Sequence, residues 1–261
     1  MKGSLSPSAL SKFKDCPRCF WLSKNKVKPF RGIMASIPNG IDAILKDYHD
    51  EHRVRGEIPP EIAAQIPGVR PFKDLIKLNR WRTLGQGISG EIDGIPVMGL
   101  LDDLLEFEDG TVSSYDYKSN RSPRTPDYVE RFYQHQGDIY NALLEHNGFK
   151  VRWKSYFSFW SPKEITESGN AETKTTQFPF DCTIHVIDSS LKRIKDLLKR
   201  AAACLDGDLP EPGDDCEMCT YVKRRALKMQ DIHRERKEAA AAAEAAAEAA
   251  KPAESTESAA A

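Results

Sequence analysis

Two acids and a lysine carry the clearest chemistry in this sequence. Asp102 lies in the apolar run MGLLDDLLEF, and Asp116 and Lys118 lie in SSYDYKS, with the pair Asp109-Gly110 between them. An Asp-Gly pair between strand-like runs marks a hairpin, and centring it on position 109 sets Asp102 directly across from Asp116. Opposed residues of an antiparallel pair have Cβ atoms roughly 4.5 to 5.5 Å apart, which suits two carboxylates sharing one divalent cation. Lys118, two residues beyond Asp116, projects from the same face. Hard oxygen donors in this arrangement describe a Mg²⁺ or Mn²⁺ site that polarises a phosphate and acidifies a water, with the lysine to orient that water or offset charge on phosphorus. The alternative makes both acids solvated residues of an exposed sheet face and Lys118 their cross-strand partner. Against it, a strand this apolar does not carry acids without a use. Asp103, of opposite parity, is the substitute for Asp102.

A second constellation is sulfur. Cys16-Pro-Arg-Cys19 and Cys216-Glu-Met-Cys219 are two C-x-x-C pairs at opposite ends of the chain. A two-residue gap lets both thiolates reach one metal, and two such pairs complete a four-sulfur shell for zinc or an iron-sulfur cluster. Such a site would join the ends of the domain; otherwise the pairs are small buried hydrophobes. Cys182, in an apolar strand-like run, reads as core, and Cys204 as an understudy ligand. Residues 1–36 carry eight Lys or Arg and one acid, and 221–237 seven and two. If the cysteines join the ends, the two basic runs become neighbours, a surface suited to a phosphate backbone.

These residues need a fold to hold them. The chain has 261 residues, 38 Lys plus Arg against 39 Asp plus Glu, and 40% hydrophobic residues, enough to bury a core. No stretch is long and apolar enough to cross a membrane, and MKGSLSPSALSKF has no apolar secretory core, so a cytoplasmic protein is expected. Ser6-Pro7 opens a short helix, and residues 39–55 can be helical. Between 88 and 118 two Asp-Gly pairs, at 93-94 and 109-110, predict a three-stranded antiparallel meander. Thr125-Pro126 caps a helix reaching Asn147 and stopping at Gly148. Strands are expected near 149–160 and 175–187, and an amphipathic helix over 189–205. The order implies a mixed α/β domain with a central sheet flanked by helices, covering residues 1–237. The Ala/Glu tract from 238 to 261 has helix propensity but no apolar face, is left outside the fold, and reads as disordered after Pro252.

The run Gly99-Leu-Leu-Asp102, then Asp116-Tyr-Lys118, then a helix carrying Gln136-Gly-Asp-Ile-Tyr140 resembles the PD-(D/E)XK nuclease superfamily, in particular its RecB-like branch. That likeness implies a restriction-endonuclease-like core with Asp102, Asp116 and the Tyr117 carbonyl as metal ligands. It makes Lys118 the catalytic lysine and Gln136 and Tyr140 a pair lining the site; residues four apart do share a helix face. Members of the branch often add a metal-binding histidine a few residues after a glycine on an N-terminal helix. Here Gly40 is followed by IDAILKDYH: Lys46 lies nearer that place and His49 just over a turn beyond; either is a candidate substitute, or the site manages with fewer ligands. CPRCFWL and PGDDCEMCTY resemble the elements that hold a 4Fe-4S cluster in CRISPR-adaptation accessory nucleases and AddB-type helicase-nucleases. Those relatives divide the ligands one plus three, whereas this chain shows two plus two.

The expectation is a Mg²⁺- or Mn²⁺-dependent deoxyribonuclease acting on single-stranded DNA or DNA ends, in repair, recombination or CRISPR adaptation, with a helicase or CRISPR-adaptation proteins as possible partners. A non-catalytic nucleic-acid-binding module, or a helicase-associated subunit, is the other class.

Overall fold

Ser6 begins the first helix as its sequence dictates, its hydroxyl accepting the Ala9 N–H at 3.2 Å with Pro7 at the first helical position. The computed structural model describes residues 3–27, 36–164, 172 and 174–249. Its elements are α1 (Pro7–Asp15), α2 (Pro17–Lys24), α3 (Ser36–Val54), α4 (Pro60–Ala63), β1 (Val69–Pro71), α5 (Leu75–Arg82), β2 (Ile88–Ile92), β3 (Ile95–Gly99), β4 (Asp103–Phe107) and β5 (Val112–Ser119). They continue with α6 (Pro126–His146), β6 (Val151–Pro162), β7 (Phe180–Asp188), α7 (Leu191–Asp206) and α8 (Glu217–Ala249).

Residues 1–211 and 212–261 form two units. The first is a mixed α/β unit around a five-stranded sheet of order β1-β4-β5-β6-β7. Every pairing is antiparallel except β5 with β6, which are parallel, and α6 makes the crossover that parallel strands require. Side chains alternate across the sheet. Leu104 joins a core with Leu10 of α1, Leu143 of α6 and Leu197 of α7. On the opposite face Leu105, Phe107, Tyr115 and Tyr117 pack with Leu45 of α3.

The expected meander is corrected. Four strands lie between 88 and 119, not three: β2 and β3 pair as a separate ribbon, and the predicted long second strand breaks at Leu100–Asp102. The break has a physical cause, because distant side chains take carbonyls that a ladder would have used. The Tyr140 hydroxyl donates to the Leu100 carbonyl and Arg82 Nε to that of Asp102. β3 is instead bridged by Leu5, in parallel, at Val97.

Buried polar side chains fix α6 on the sheet. The β5–β6 ladder shifts register between Val112 and Ser114, and Asn141 fills the irregularity. Its Oδ1 accepts the Ser114 N–H at 2.9 Å and its Nδ2 donates to the Lys154 carbonyl at 2.8 Å. Asp138 accepts from Arg193 Nε at 2.7 Å and from the Ser190 N–H at 2.7 Å, joining α6 to the start of α7.

In the second unit α8 has no buried residue, in keeping with a tract that lacks an apolar face. The helix runs through position 238, where the sequence reading ends the fold. Residues 250–261, including the stretch after Pro252 expected to be disordered, lie outside the described residues. No described helix is long and apolar enough to cross a membrane.

Between α1 and α6, His135 is buried with Nε2 at 2.8 Å from the Ser11 hydroxyl, while its Nδ1 has no partner among the described residues. Burial, with the nearby Lys14 charge, lowers its pKa from 6.5 to about 4, against a raising contribution from the Pro7 carbonyl. The unfolded chain therefore binds a proton that the native state resists, and stability falls as pH drops from 6.5 toward 4. Replacing His135 with Gln should remove about 2 to 3 kcal/mol of the stability lost between pH 7.5 and 4.5, measured by urea unfolding of both proteins at the two pH values.

Candidate active site and cysteine cluster

The β4–β5 ladder pairs Asp103 with Tyr115, Leu104 with Ser114 and Leu105 with Ser113. This is the register expected from the Asp109-Gly110 turn, and its next step sets Asp102, just before β4, against Asp116. Asp116 is buried on the α6 face, where Lys118 Nζ pairs with its Oδ2 and Gln136 Nε2 donates to its Oδ1 at 2.5 Å. Burial and the adjacent Asp102 charge push the Asp116 pKa up against the pull of Lys118. Two acids therefore share one pocket at an energetic cost, moderated by neighbouring ammonium groups. Burial opposes the charged form of Lys118, but Asp116 and Asp102 outweigh it and hold its pKa above the ordinary value. Its ammonium also lies 4.8 Å from the centre of the Tyr133 ring.

Gly99 and Tyr140 are structurally coupled. A Cβ on Gly99 would stand 2.6 Å from Tyr140 Cε1, closer than any real contact, so the glycine leaves room for a ring whose hydroxyl fixes Leu100, two residues before Asp102. Tyr140 thus acts on the backbone leading to the acid, and Gln136 on the carboxylate across from it.

His49 is not with them. Its ring lies 4.4 Å from that of Tyr117 on the α3 face, with Nδ1 at 2.8 Å from the Leu45 carbonyl and Nε2 at 3.3 Å from the Tyr115 hydroxyl. The carbonyl can only accept, so Nδ1 carries the proton and Nε2 takes the tyrosine hydrogen. Lys46, one turn earlier, stands beside the acids instead, pairing with Asp102 Oδ1 at 3.0 Å and Asp42 Oδ2 at 2.7 Å. The Tyr117 side chain also leaves for the α3 face, so only its backbone lies between Asp116 and Lys118.

Beneath this site is a charged network that the sequence reading missed. Asp103 accepts from Arg53 and from the Tyr117 hydroxyl, and Arg82 Nη2 lies 3.8 Å from it. Asp50 pairs with Arg53 at 3.2 Å and with Arg82 at 2.6 Å. Arg82 Nε reaches the Asp102 carbonyl at 2.6 Å, so α3, α5, β4 and β5 meet on one set of charges. Asp103, expected only as a substitute ligand, is a structural acid here. The available signal was an acid doublet in an apolar run, with arginines at 53 and 82 in otherwise amphipathic helices.

Cys16, Cys19, Cys216 and Cys219 have sulfurs that all lie within 4.8 Å of one another, a set that could bind zinc or an iron-sulfur cluster. Cys16 caps α2, its Sγ accepting the Cys19 N–H at 3.4 Å. Cys216 stands just before α8, its carbonyl accepting the Thr220 N–H at 3.0 Å. In both pairs, then, the first cysteine precedes a helix and the second lies in its first turn. Helix N-termini favour the anionic sulfur that a metal requires. Cys204 is not in this group, and its Sγ lies 4.0 Å from the Pro17 carbonyl. Cys182, half-buried in β7, packs beside Tyr156 and Trp160, and burial pushes its thiol up to about 12.

No protein-family model matches the chain, and no curated protein matches it.

Removing the Asp103 carboxylate would leave Arg53 Nη2 and the Tyr117 hydroxyl without their acceptor and take an opposite charge from beside Arg82. Asp103→Ala should cost about 3 to 5 kcal/mol of stability, read as a lower urea midpoint with an unchanged slope.

Proposed function

We propose that this chain is a metal-dependent deoxyribonuclease of the RecB-like PD-(D/E)XK type, hydrolysing phosphodiester bonds. One observation carries the reading: Asp102 just before β4, Asp116 and Lys118 on β5 and Gln136 on α6 converge at one place. The order of hairpin, crossover helix and parallel strand is that expected for a restriction-endonuclease-like core. The donor set fits a hard cation, since Asp102 and Asp116 offer carboxylate oxygens. When bound there, Mg²⁺ or Mn²⁺ would polarise the phosphate and lower the pKa of a water.

The chain's own residues do the remaining work. Gln136 holds Asp116 Oδ1 and so fixes the rotamer that presents Oδ2 to Lys118. Lys118, held charged by the two acids, is the ammonium available to a phosphate oxygen as charge grows on phosphorus. Lys46 balances Asp102 from the other side. The cysteine set supplies a separate structural centre, an iron-sulfur cluster by resemblance and zinc by the same geometry.

End-labelled single- and double-stranded linear DNA incubated with Mg²⁺ or Mn²⁺ provides the test. The parent should cut, and Lys118→Ala should lose on the order of a hundredfold or more in rate, by analogy with removal of one charge-stabilising donor, while retaining DNA binding. Binding without cleavage by the parent would instead identify a nucleic-acid-binding module. Anaerobically purified protein should contain either iron-sulfur visible absorption or stoichiometric zinc, and Cys16→Ser should lose it. Absence of both from the parent would refute the metal assignment.

A further inference from the structure

We infer that Tyr128 and Phe132 form a stacking platform for an unpaired base of the DNA strand that enters the carboxylate site. The inference rests on the nuclease reading above and names what selects its substrate.

Four residues of α6 fall at intervals of four: Tyr128, Phe132, Gln136 and Tyr140. They form one slowly winding stripe along the helix. At its far end Tyr140 is buried and Gln136 donates to Asp116. At its near end Phe132 is 44% exposed and Tyr128 half-buried. About 6 Å of helix axis separates the exposed ring from the glutamine on the carboxylate, so a group stacked on Phe132 lies one helical turn from the acids.

The surroundings of these rings suit a nucleic acid strand. The Tyr128 and Phe132 centroids are 4.6 Å apart. The Arg124 guanidinium lies 4.5 Å from the Tyr128 ring, and that of Arg131 5.3 Å from the Phe132 ring. Arginine on an aromatic face supplies positive charge beside the ring, and rings beside cations are how single strands are held without reading sequence. Over residues 119–137, Arg121, Arg124 and Arg131 stand against Asp127 and Glu130, and Lys14 reaches the Arg131 carbonyl at 3.0 Å. A cleft of about 440 Å³ adjoins the stripe and is lined by Phe132, Tyr133 and Gln136 together with Ser6, Ser8 and Ser11. In a duplex the bases are stacked on one another and closed to Phe132; in a single strand every base is free to leave its neighbours. The platform therefore favours unpaired DNA.

The test measures binding of fluorescent oligodeoxythymidine to the full chain in EDTA, with and without one abasic site scanned along the strand, for the parent, Phe132→Ala and Phe132→Trp. Phe132→Ala should weaken binding about tenfold, in line with the loss of one stacked base, and Phe132→Trp should restore it. One abasic position should weaken the parent by a similar factor and leave Phe132→Ala unaffected, a dependence that misfolding would not produce. Equal binding by parent and Phe132→Ala, or abasic penalties identical in both, would overturn the platform. Mg²⁺-dependent cleavage is scored on the same samples. Cleavage with a flat abasic scan removes the platform alone, whereas an abasic-sensitive parent that does not cut keeps the platform and removes the nuclease.

Discussion

The Asp103 carboxylate is the interaction on which the rest of the structure depends. A charge taken out of water is tolerable only when its hydrogen-bonding capacity is met, and Asp103 meets it from helix and strand at once, through Arg53 and the Tyr117 hydroxyl. Arg82 adds its charge to the group and holds the Asp102 carbonyl. The residue that faces the acid pocket is thus fixed through its neighbour Asp103, the first ladder residue of β4, whose side chain lies on the far side of the sheet. Asp102 and Asp103 divide the labour of one doublet: the first offers its carboxylate to the pocket, and the second anchors the backbone that carries it.

Much of this was legible from local rules. The turn at Asp109-Gly110 set the hairpin register, and strand parity then sorted Asp116 and Lys118 onto one face with Tyr115 and Tyr117 on the other. Thr125-Pro126 and Gly148 bounded α6 because capping is decided within a few residues. What escaped was decided over long range. The break at Leu100–Asp102 comes from carbonyls captured by Tyr140 and Arg82, which lie 40 and 20 residues away in the chain. The placing of Lys46 rather than His49 beside Asp102 depends on how α3 is rotated on the sheet, and three ring contacts of His49 with Tyr115, Tyr117 and Trp160 fix that rotation. β1 and α5 are short and carry little periodicity.

The cysteines were legible for a different reason. A C-x-x-C spacing constrains two sulfurs within one helical turn, so each pair announces itself wherever the chain takes it; Cys204, with no partner at that spacing, stands apart from the four. Spacing fixes the number of donors but leaves the choice between zinc and an iron-sulfur cluster open, because both accept four thiolates. The same limit applied to α8, whose helix propensity was plain while its lack of an apolar face gave no sign of where the helix should stop.

Lys46 and Lys118 give the acid pocket one further property. Each carboxylate already has an ammonium partner, Asp102 through Lys46 and Asp116 through Lys118, so local charge is close to balanced within the protein itself. A dication arriving there would enter by exchange rather than by simple addition, displacing ammonium groups that the acids otherwise hold. Occupancy would then follow competition among cations, with an affinity below that of an uncompensated pair of acids. The displaced lysines would be turned outward, toward whatever anion arrives next.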